Sequence, residues 1–179
     1  MDKIQSRKFV KEKLALLDNK DKLSNIICSK IKALDLDCKS ILLYKALSSE
    51  VNVDELIQYF LDKCEVYLPK VKGDNIVLIQ VNKDTIYESG AFGIKEPIGK
   101  ELNPSDVKID VCITPLLAFD SSLNRLGKGK GYYDRFFENC DCQKIAVAFE
   151  AQKLDAIDTE EHDKKLDLVV TEDKIYANN

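Results

Sequence analysis

The chain has 179 residues and a formal net charge of −4. This length allows one hydrophobic core, so we expect a single domain over residues 1–179. The negative charge argues against broad binding to nucleic acid or anionic membranes, and no apolar run approaches the roughly 20 residues that span a bilayer. Residues 1–5 lack the apolar segment of a secretory signal, which predicts a cytoplasmic protein.

Helical and strand patterns alternate along the chain. Apolar residues at helical spacing predict helices over residues 2–17, 21–34 and 53–63, the last starting at Asn52. Short apolar runs predict strands at residues 40–44, 66–69, 76–79, 111–113, 144–149 and 168–170, with an extended segment at 116–119. Residues 83–105 are polar and rich in glycine and proline, so we expect an extended loop there. The alternation predicts a three-layer α/β fold, in which a largely parallel, Rossmann-like sheet is flanked by helices.

Residues 125–134 read Arg-Leu-Gly-Lys-Gly-Lys-Gly-Tyr-Tyr-Asp and contain three of the seven glycines. Alternate glycines let the backbone approach an anion closely, and the following Tyr-Tyr-Asp-Arg-Phe-Phe reads as the start of a helix. A glycine loop at a helix N-terminus is a favourable phosphate site, although a flexible surface turn is the alternative. The run is neither a P-loop nor a dinucleotide fingerprint, because Tyr132 occupies the position where each needs another residue.

The six cysteines carry no C-x-x-C pair, and the chain has one histidine, His162. Zinc sites need soft ligands at short spacing, and only Cys140 and Cys142 come near that pattern. Several of the six lie in apolar stretches, where a free cysteine behaves as a small core residue. We therefore expect reduced structural thiols.

The segment Arg-Leu-Gly-x-Gly-x-Gly-Tyr-Tyr-Asp-Arg at residues 125–135 resembles the signature of the 5-formyltetrahydrofolate cyclo-ligases, also called 5,10-methenyltetrahydrofolate synthetases. Ser6 departs from this family, which usually carries Leu there, and Lys45 stands where relatives are often apolar. Residues 114–117 are a looser match. Other segments are similar to family motifs in the same order along the chain, at residues 3–7, 50–51, 67–71, 92–97, 118–120, 149–152 and 162–163.

This resemblance implies an ATP- and Mg²⁺-dependent conversion of 5-formyltetrahydrofolate to 5,10-methenyltetrahydrofolate, with release of ADP and phosphate. It implies that the formyl oxygen is phosphorylated to an iminium phosphate, that the folate N10 then closes the ring, and that phosphate leaves. The expected partners are a small-molecule folate and ATP, with no nucleic acid and no membrane. We expect a monomer or a weak homodimer.

The resemblance also assigns the site residues. The predicted catalytic residues are Arg125, Lys128 and Lys130. The predicted ATP site comprises Lys3, Ile4, Gln5, Ser6, Arg7, Arg125, Leu126, Gly127, Lys128, Gly129, Lys130, Gly131, Tyr132 and Tyr133. The predicted folate site comprises Lys45, Glu50, Lys128, Gly129, Lys130, Gly131 and Tyr132. The predicted Mg²⁺ ligands are Asp134 and Asp163.

The basic residues give a separate indication, because the chain has 24 lysines but only three arginines. Arg7, Arg125 and Arg135 all fall in the segments named above, and arginine offers a planar fork for phosphate that lysine cannot imitate. A surface salt bridge on the helix is the alternative interpretation for Arg135.

Several site residues keep an alternative interpretation. In the first turn of a helix, Asp134 is favourable without any ligand, because a carboxylate there complements the helix dipole. Asp163 lies in a charged stretch typical of solvated surface. His162 is a general base or an ordinary exposed histidine. Tyr132 and Tyr133 either contact the folate or pack in the core.

Two rival functions remain on residue chemistry alone, because a fold does not determine a reaction. A sugar-phosphate isomerase or acyl-transfer enzyme would turn over without ATP, using a carboxylate or lysine as base. A folate- or nucleotide-binding regulator would be stabilised by its ligand but form no product. The complete run from Arg125 to Asp134, together with Lys3 and Arg7, favours the ligase.

Overall fold

The computed structural model describes residues 1–90 and 93–178. Its helices are α1 (Lys3–Ala15), α2 (Lys20–Ala33), α3 (Asp54–Leu61) and α4 (Tyr132–Asn139). Its strands are β1 (Ser40–Leu42), β2 (Glu65–Lys72), β3 (Asn75–Val81), β4 (Tyr87–Ser89), β5 (Lys95–Pro97), β6 (Glu101–Leu102), β7 (Val111–Thr114), β8 (Ala118–Phe119), β9 (Arg125–Leu126), β10 (Gln143–Val147), β11 (Leu168–Val170) and β12 (Ile175–Ala177).

The predicted helices are confirmed, with small shifts at their ends that follow from local capping. At the start of α1, Asp2 Oδ1 accepts a hydrogen bond from Gln5 N at 2.8 Å, and Gln5 Oε1 accepts one from Asp2 N at 3.3 Å. This reciprocal pair satisfies two amide groups that the first helical turn leaves free. Asn52 Oδ1 accepts from Asp54 N at 2.9 Å, so α3 begins slightly after the predicted start.

Eight strands form the central sheet, in the order β12-β11-β10-β7-β1-β2-β3-β6. The five strands β11, β10, β7, β1 and β2 are mutually parallel, whereas β12, β3 and β6 pair antiparallel at the two edges. The strand that follows β1 in the chain, β2, pairs with one side of β1, and the later strand β7 pairs with the other side. The strand order therefore reverses between β1 and β7, and ligands bind at such a point in open α/β sheets.

Helices cover both faces of this sheet because successive strand residues point to opposite sides. In and directly after β1, Ile41 and Leu43 pack in the cluster that contains α1, α2 and α3, whereas Leu42 packs in the cluster of α4. Phe136 and Phe137 of α4 are the large apolar side chains on that second face. The predicted three-layer α/β fold with a largely parallel sheet is confirmed.

The prediction of an extended loop over residues 83–105 was wrong for the described part of that segment. The strands β4 and β5 form a hairpin, and β6 pairs with β3 at the sheet edge. These strands are short and largely polar, so they lack the apolar alternation that marks a half-buried strand. The edge strand β12 was also missed, because its three residues are too few to show a strand pattern. Phe92 of the predicted family segment lies outside the described residues.

Two further observations concern the whole chain. No helix among the described residues is long and apolar enough to cross a membrane. All six cysteines are free thiols in the structure, and Cys28, Cys112, Cys140 and Cys142 are buried.

Candidate active site

A pocket of about 800 Å³ opens where the strand order reverses. Tyr44 and Lys45 line it directly after β1, and Pro115 and Leu116 line it directly after β7. The volume lies within the range of small-molecule sites. The opposite wall consists of apolar side chains from β2 and β3 and of the β5 region, at Leu68, Pro69, Val71, Ile76, Ile94 and Pro97. The pocket therefore has one polar and one apolar wall.

The polar wall is the glycine loop, residues 127–131, between β9 and α4. Gly129 and Gly131 have φ values of +103° and +67°, in a region of backbone conformation that residues other than glycine rarely adopt. Gly131 is also the N-cap of α4, so the loop leads directly into a helix N-terminus. This is the arrangement that the sequence predicts for anion binding, with backbone amides and the positive end of the helix dipole in one place.

Each glycine of the loop has one of the three arginines packed against its Cα. A Cβ atom built on Gly127 would lie 3.3 Å from Arg125 Nη1, and one on Gly129 would lie 3.6 Å from Arg7 Cζ. A Cβ on Gly131 would lie 2.8 Å from Arg135 Nη1. The alternation of glycines thus matches a row of guanidinium groups, which together make the loop strongly electropositive.

Arg125 is the most buried of these cations, with 4% of its side chain exposed. Its Nη2 donates to Asp134 Oδ1 at 2.6 Å, and its guanidinium lies 5.8 Å from the centre of the Tyr133 ring. The buried Nε–H has no acceptor among the described residues. A buried donor without an acceptor is costly, so this arrangement suits a site in which Arg125 meets a negatively charged ligand.

Arg7 and Lys3 reach the site from α1. Arg7 Nε donates to Gly127 O at 3.0 Å, which ties α1 to the start of the glycine loop. Lys3 Nζ contacts Asp163 Oδ2 at 2.8 Å and Glu160 Oε2 at 3.0 Å. Burial alone would raise the pKa of the Asp163 carboxyl, but hydrogen bonds from Lys3 and from Glu160 N hold that pKa below its ordinary value. Asp163 is therefore a carboxylate at neutral pH.

Glu50 lies on the side of the pocket that follows β1. Its Oε2 accepts from Leu47 N at 2.8 Å, and its Oε1 accepts from Lys128 Nζ in a short ion pair. Only 9% of the Glu50 side chain is exposed, so its carboxylate has little freedom of orientation. This pair joins the predicted folate contact to a predicted phosphate contact across the pocket. Lys45 also lines the pocket, where its Nζ contacts Asp54 at 2.8 Å.

The two tyrosines of the signature run are the first residues of α4; they line the pocket and also pack against the apolar cluster between α4 and the sheet. Burial raises the pKa of the Tyr133 phenol well above its ordinary value, so the hydroxyl stays protonated at neutral pH. The Arg135 guanidinium lies 5.6 Å from the ring centre of Tyr132. Both residues therefore pack against the core, and their contact with a ligand stays a prediction.

A group of three potential metal ligands lies beside Lys3. Glu160, His162 and Asp163 place one ligand atom each within 4.8 Å of one another. Carboxylate oxygens suit Mg²⁺, which is commonly bound through one or two carboxylates together with substrate phosphates and water. Asp134 is not part of this group, and its Oδ1 accepts a hydrogen bond from Arg125. The donor set fits a hard divalent cation.

Most of the predicted site residues line one pocket, although they come from segments far apart in the chain. Three predicted ATP contacts, Ile4, Gln5 and Ser6, do not line it: Ile4 is 76% exposed, Gln5 caps α1 and Ser6 is buried. The predicted residues that do line it are Lys3, Arg7, Lys45, Glu50, Arg125, Leu126, Gly127, Lys128, Gly129, Lys130, Gly131, Tyr132, Tyr133, Asp134 and Asp163.

The sequence analysis did not assign the apolar wall or Glu160 to the site. Pro69, Val71 and Ile76 belong to apolar strands, so their pattern indicated only sheet core. The fact that β2 extends beyond its parallel neighbour to line a pocket has no sequence signal. Glu160 lies two residues from His162 in a charged stretch, and this local cluster of potential ligands was the signal available.

An α/β fold with a glycine loop, clustered arginines and a pocket at the reversal of strand order is typical of α/β enzymes that bind anionic small molecules. The comparisons specify this class further. The model of the 5-formyltetrahydrofolate cyclo-ligase family matches residues 2–172. The chain belongs to this family, and the resemblance predicted from its motifs is confirmed.

Named relatives agree with this assignment. The chain is 33% identical over 139 residues to the 5-formyltetrahydrofolate cyclo-ligase of Haemophilus influenzae, which covers 72% of this chain and 73% of the relative. It is 26% identical over 191 residues to the mouse 5-formyltetrahydrofolate cyclo-ligase, and this alignment covers 93% of this chain and 92% of the relative. The 5,10-methenyltetrahydrofolate synthetase structure of Aquifex aeolicus superposes with a TM-score of 0.84 and 34% identity, covering 99% of this chain and 93% of that one.

Proposed function

We propose that this protein catalyses the ATP- and Mg²⁺-dependent cyclisation of 5-formyltetrahydrofolate to 5,10-methenyltetrahydrofolate, with release of ADP and phosphate. The proposal includes a cytoplasmic location and a monomer or weak homodimer. The folate reaction is the one for which the relatives are named. The use of ATP and Mg²⁺ is what the family resemblance implies, and the chemistry of the pocket supports it.

One observation carries the proposal. The glycine loop lies above a row of arginines, and the buried Arg125 has an Nε–H with no acceptor among the described residues. Asp134 compensates the charge of Arg125, but among the described residues no carboxylate forms an ion pair with Arg7 or Lys130, so a neutral ligand would leave these loop-side charges uncompensated. A polyphosphate supplies the missing negative charge, and the wall of Pro69, Val71 and Ile76 offers an apolar surface for a pterin ring.

The proposed reaction first makes the formyl oxygen a good leaving group. ATP supplies the phosphoryl group, so that a bond forms between the formyl oxygen and phosphorus while ADP leaves. The folate N10 then attacks the resulting iminium carbon and loses its proton, and inorganic phosphate departs. Such a phosphoryl transfer depends mainly on positioning and charge stabilisation, which are the contributions that this pocket offers.

The residues of the chain would divide this work. Arg125 is held rigidly by Asp134 and by burial, so it presents its charge to the transferred group without reorganisation. Lys128 and Lys130 lie on the exposed part of the loop, so their ammonium groups can stay in contact with the phosphates as these move during the transfer. Glu50, oriented by Leu47 N, would accept hydrogen bonds from the N–H groups of the pterin. Lys3 and Arg7 add positive charge from α1.

Asp134 and Asp163, which line the same pocket, would hold Mg²⁺, and Glu160 beside Asp163 offers a further carboxylate. When bound, Mg²⁺ neutralises charge on the phosphate oxygens. Because the pKa of Asp163 is lowered, the carboxylate needs no deprotonation before it binds a cation. Lys3 Nζ must give up at least part of its contact with Asp163 in that state, and a phosphate oxygen is a natural alternative partner for it.

The test is the growth of the methenyl-folate absorbance band with protein and 5-formyltetrahydrofolate, with ATP and Mg²⁺ added or omitted separately. The proposal expects growth only when both are present, together with release of one phosphate for each methenyl product. Turnover without ATP would favour a base-catalysed reaction. Thermal stabilisation by ATP or folate without product would identify a binding protein. Either of these results would overturn the proposal.

A further inference from the structure

Arg135 is the last residue of the signature run and has no role in the proposed function. A surface salt bridge was the alternative interpretation of this residue. Among the described residues, however, no carboxylate forms an ion pair with Arg135. Its guanidinium donates only to backbone carbonyls: Nε to Asp74 O at 2.8 Å, Nη2 also to Asp74 O, and Nη2 to Lys130 O at 2.7 Å.

The two carbonyls belong to two segments of the chain that carry different walls of the pocket. Asp74 lies in the two-residue turn between β2 and β3, since Lys72 pairs with Asn75 on either side of it. These two strands provide the apolar wall of the pocket. Lys130 belongs to the glycine loop of the polar wall. One guanidinium therefore links both walls, although Arg135 and Asp74 are 61 residues apart in the chain.

The Lys130 carbonyl lies at the junction between the glycine loop and α4. The first hydrogen bond of α4 runs from Arg135 N to Gly131 O at 3.1 Å, so Lys130 O lies one residue outside the helix. Because Gly131 has a left-handed conformation, the chain turns sharply between the loop and the helix. Arg135, one turn into α4, returns its side chain to this corner and holds the carbonyl there.

The chemistry of the contact requires arginine. Its donors lie in one plane and can reach the two carbonyls at once, whereas lysine is a point donor at the end of a flexible chain. The stacking of the guanidinium on Tyr132, at 5.6 Å from the ring centre, restricts its plane further. The close approach to Gly131, where a Cβ would lie 2.8 Å from Nη1, shows that the group fills the corner of the loop.

We propose that Arg135 is a positioning residue that fixes the end of the glycine loop against the β2–β3 turn. In this role it sets the orientation of the loop amides and of Lys130, and it makes no contact with the ligands. The kinetic consequence rests on the proposed function, because it assumes that the loop holds a phosphate. The structural consequence, a loop coupled to the turn at Asp74, does not depend on that function.

The experiment compares Arg135→Ala and Arg135→Lys with Glu138→Ala, an exposed control on the same helix. A hydrogen bond to a charged group changes an equilibrium constant by a factor of about 10 to 100. We therefore expect Arg135→Ala to lower kcat/KM for ATP by about that factor. Arg135→Lys should recover part of the loss, and the KM for 5-formyltetrahydrofolate should change less. Glu138→Ala should match the wild type.

Hydrogen exchange provides a readout that does not require turnover. In Arg135→Ala we expect faster amide exchange in two separate segments, residues 127–131 and 73–76, while the core of β7 and β10 keeps its protection. The positioning role would be overturned if the exchange rates of both segments in Arg135→Ala equalled those of the wild type. It would also be overturned if the kcat/KM of Arg135→Ala equalled that of Glu138→Ala. A wild-type protein without turnover would overturn the proposed function alone, and the exchange data would still decide the role of Arg135.

Discussion

Replacing Arg125 by lysine keeps one positive charge in the pocket but removes the planar guanidinium. The ammonium group of lysine can still pair with Asp134, which lies 2.6 Å from Arg125 Nη2. It cannot also supply the Nε–H and the Nη1 group that lies next to Gly127. Arg125→Lys therefore separates the contribution of charge from that of geometry.

The size of the expected effect follows from burial. With 4% of its side chain exposed, Arg125 acts in a medium where solvent screens it little. A hydrogen bond to a charged group is worth about 1.5–3 kcal/mol, so the loss of one such bond should lower kcat/KM by roughly 10- to 100-fold. Arg125→Ala also removes the charge, and its rate should fall further, since single donors to a developing charge contribute about 10²–10³-fold.

The assay is the initial rate of methenyl-folate formation with ATP and folate varied separately, combined with urea unfolding of each variant. We expect Arg125→Lys to change the free energy of unfolding by less than about 1 kcal/mol, because Asp134 keeps a cationic partner. Arg125→Ala should lose about 1–3 kcal/mol, since the carboxylate then has no such partner. A folded Arg125→Lys protein with unchanged kcat/KM would refute the assignment of the guanidinium to the transferred phosphate.

Three further predictions follow from the described contacts. Lys128→Met should weaken ATP binding and release Glu50 from its ion pair with Lys128. Calorimetry should then show a lower affinity for ATP and an unchanged or higher affinity for the folate. Equal losses of affinity for both ligands would contradict this pairing. Asp163→Asn should raise the Mg²⁺ concentration for half-maximal rate about 10-fold, and an unchanged Mg²⁺ titration would remove Asp163 from the metal site. Burial raises the pKa of Cys28 and Cys38 to about 12 from an ordinary 9.0, so the unfolded chain loses these protons first. The free energy of unfolding, measured in urea, should fall as the pH rises from 9 toward 12, and less steeply when both residues are alanine.

Local features of the site could be predicted from the sequence because neighbouring residues determine them. Gly131 and the tyrosines after it mark the change from loop to helix, and α4 begins at Tyr132 as the sequence predicted. The buried strands β1 and β7 are apolar throughout, which indicated a parallel sheet covered on both faces.

The pairing of charges in the site could not be predicted in this way. The resemblance placed Asp134 at a metal, whereas its Oδ1 lies against Arg125 in the structure. Arg135 had a surface ion pair as its alternative and instead holds two carbonyls. Which partner a long, flexible cation selects depends on the backbone that surrounds it, and a residue's own neighbours in sequence do not specify that backbone.

The sequence by itself determined the helices and the apolar strands, their α/β layering and the glycine loop, because periodicity and glycine conformation act over a few residues. Only the tertiary structure decided how distant groups meet. Lys3 and Asp163 are 160 residues apart in the chain but lie 2.8 Å apart, and Lys128 reaches Glu50 across 78 residues. Such contacts result from the strand order of the sheet, which brings the ends of β1 and β7 together and leaves no local pattern in the chain.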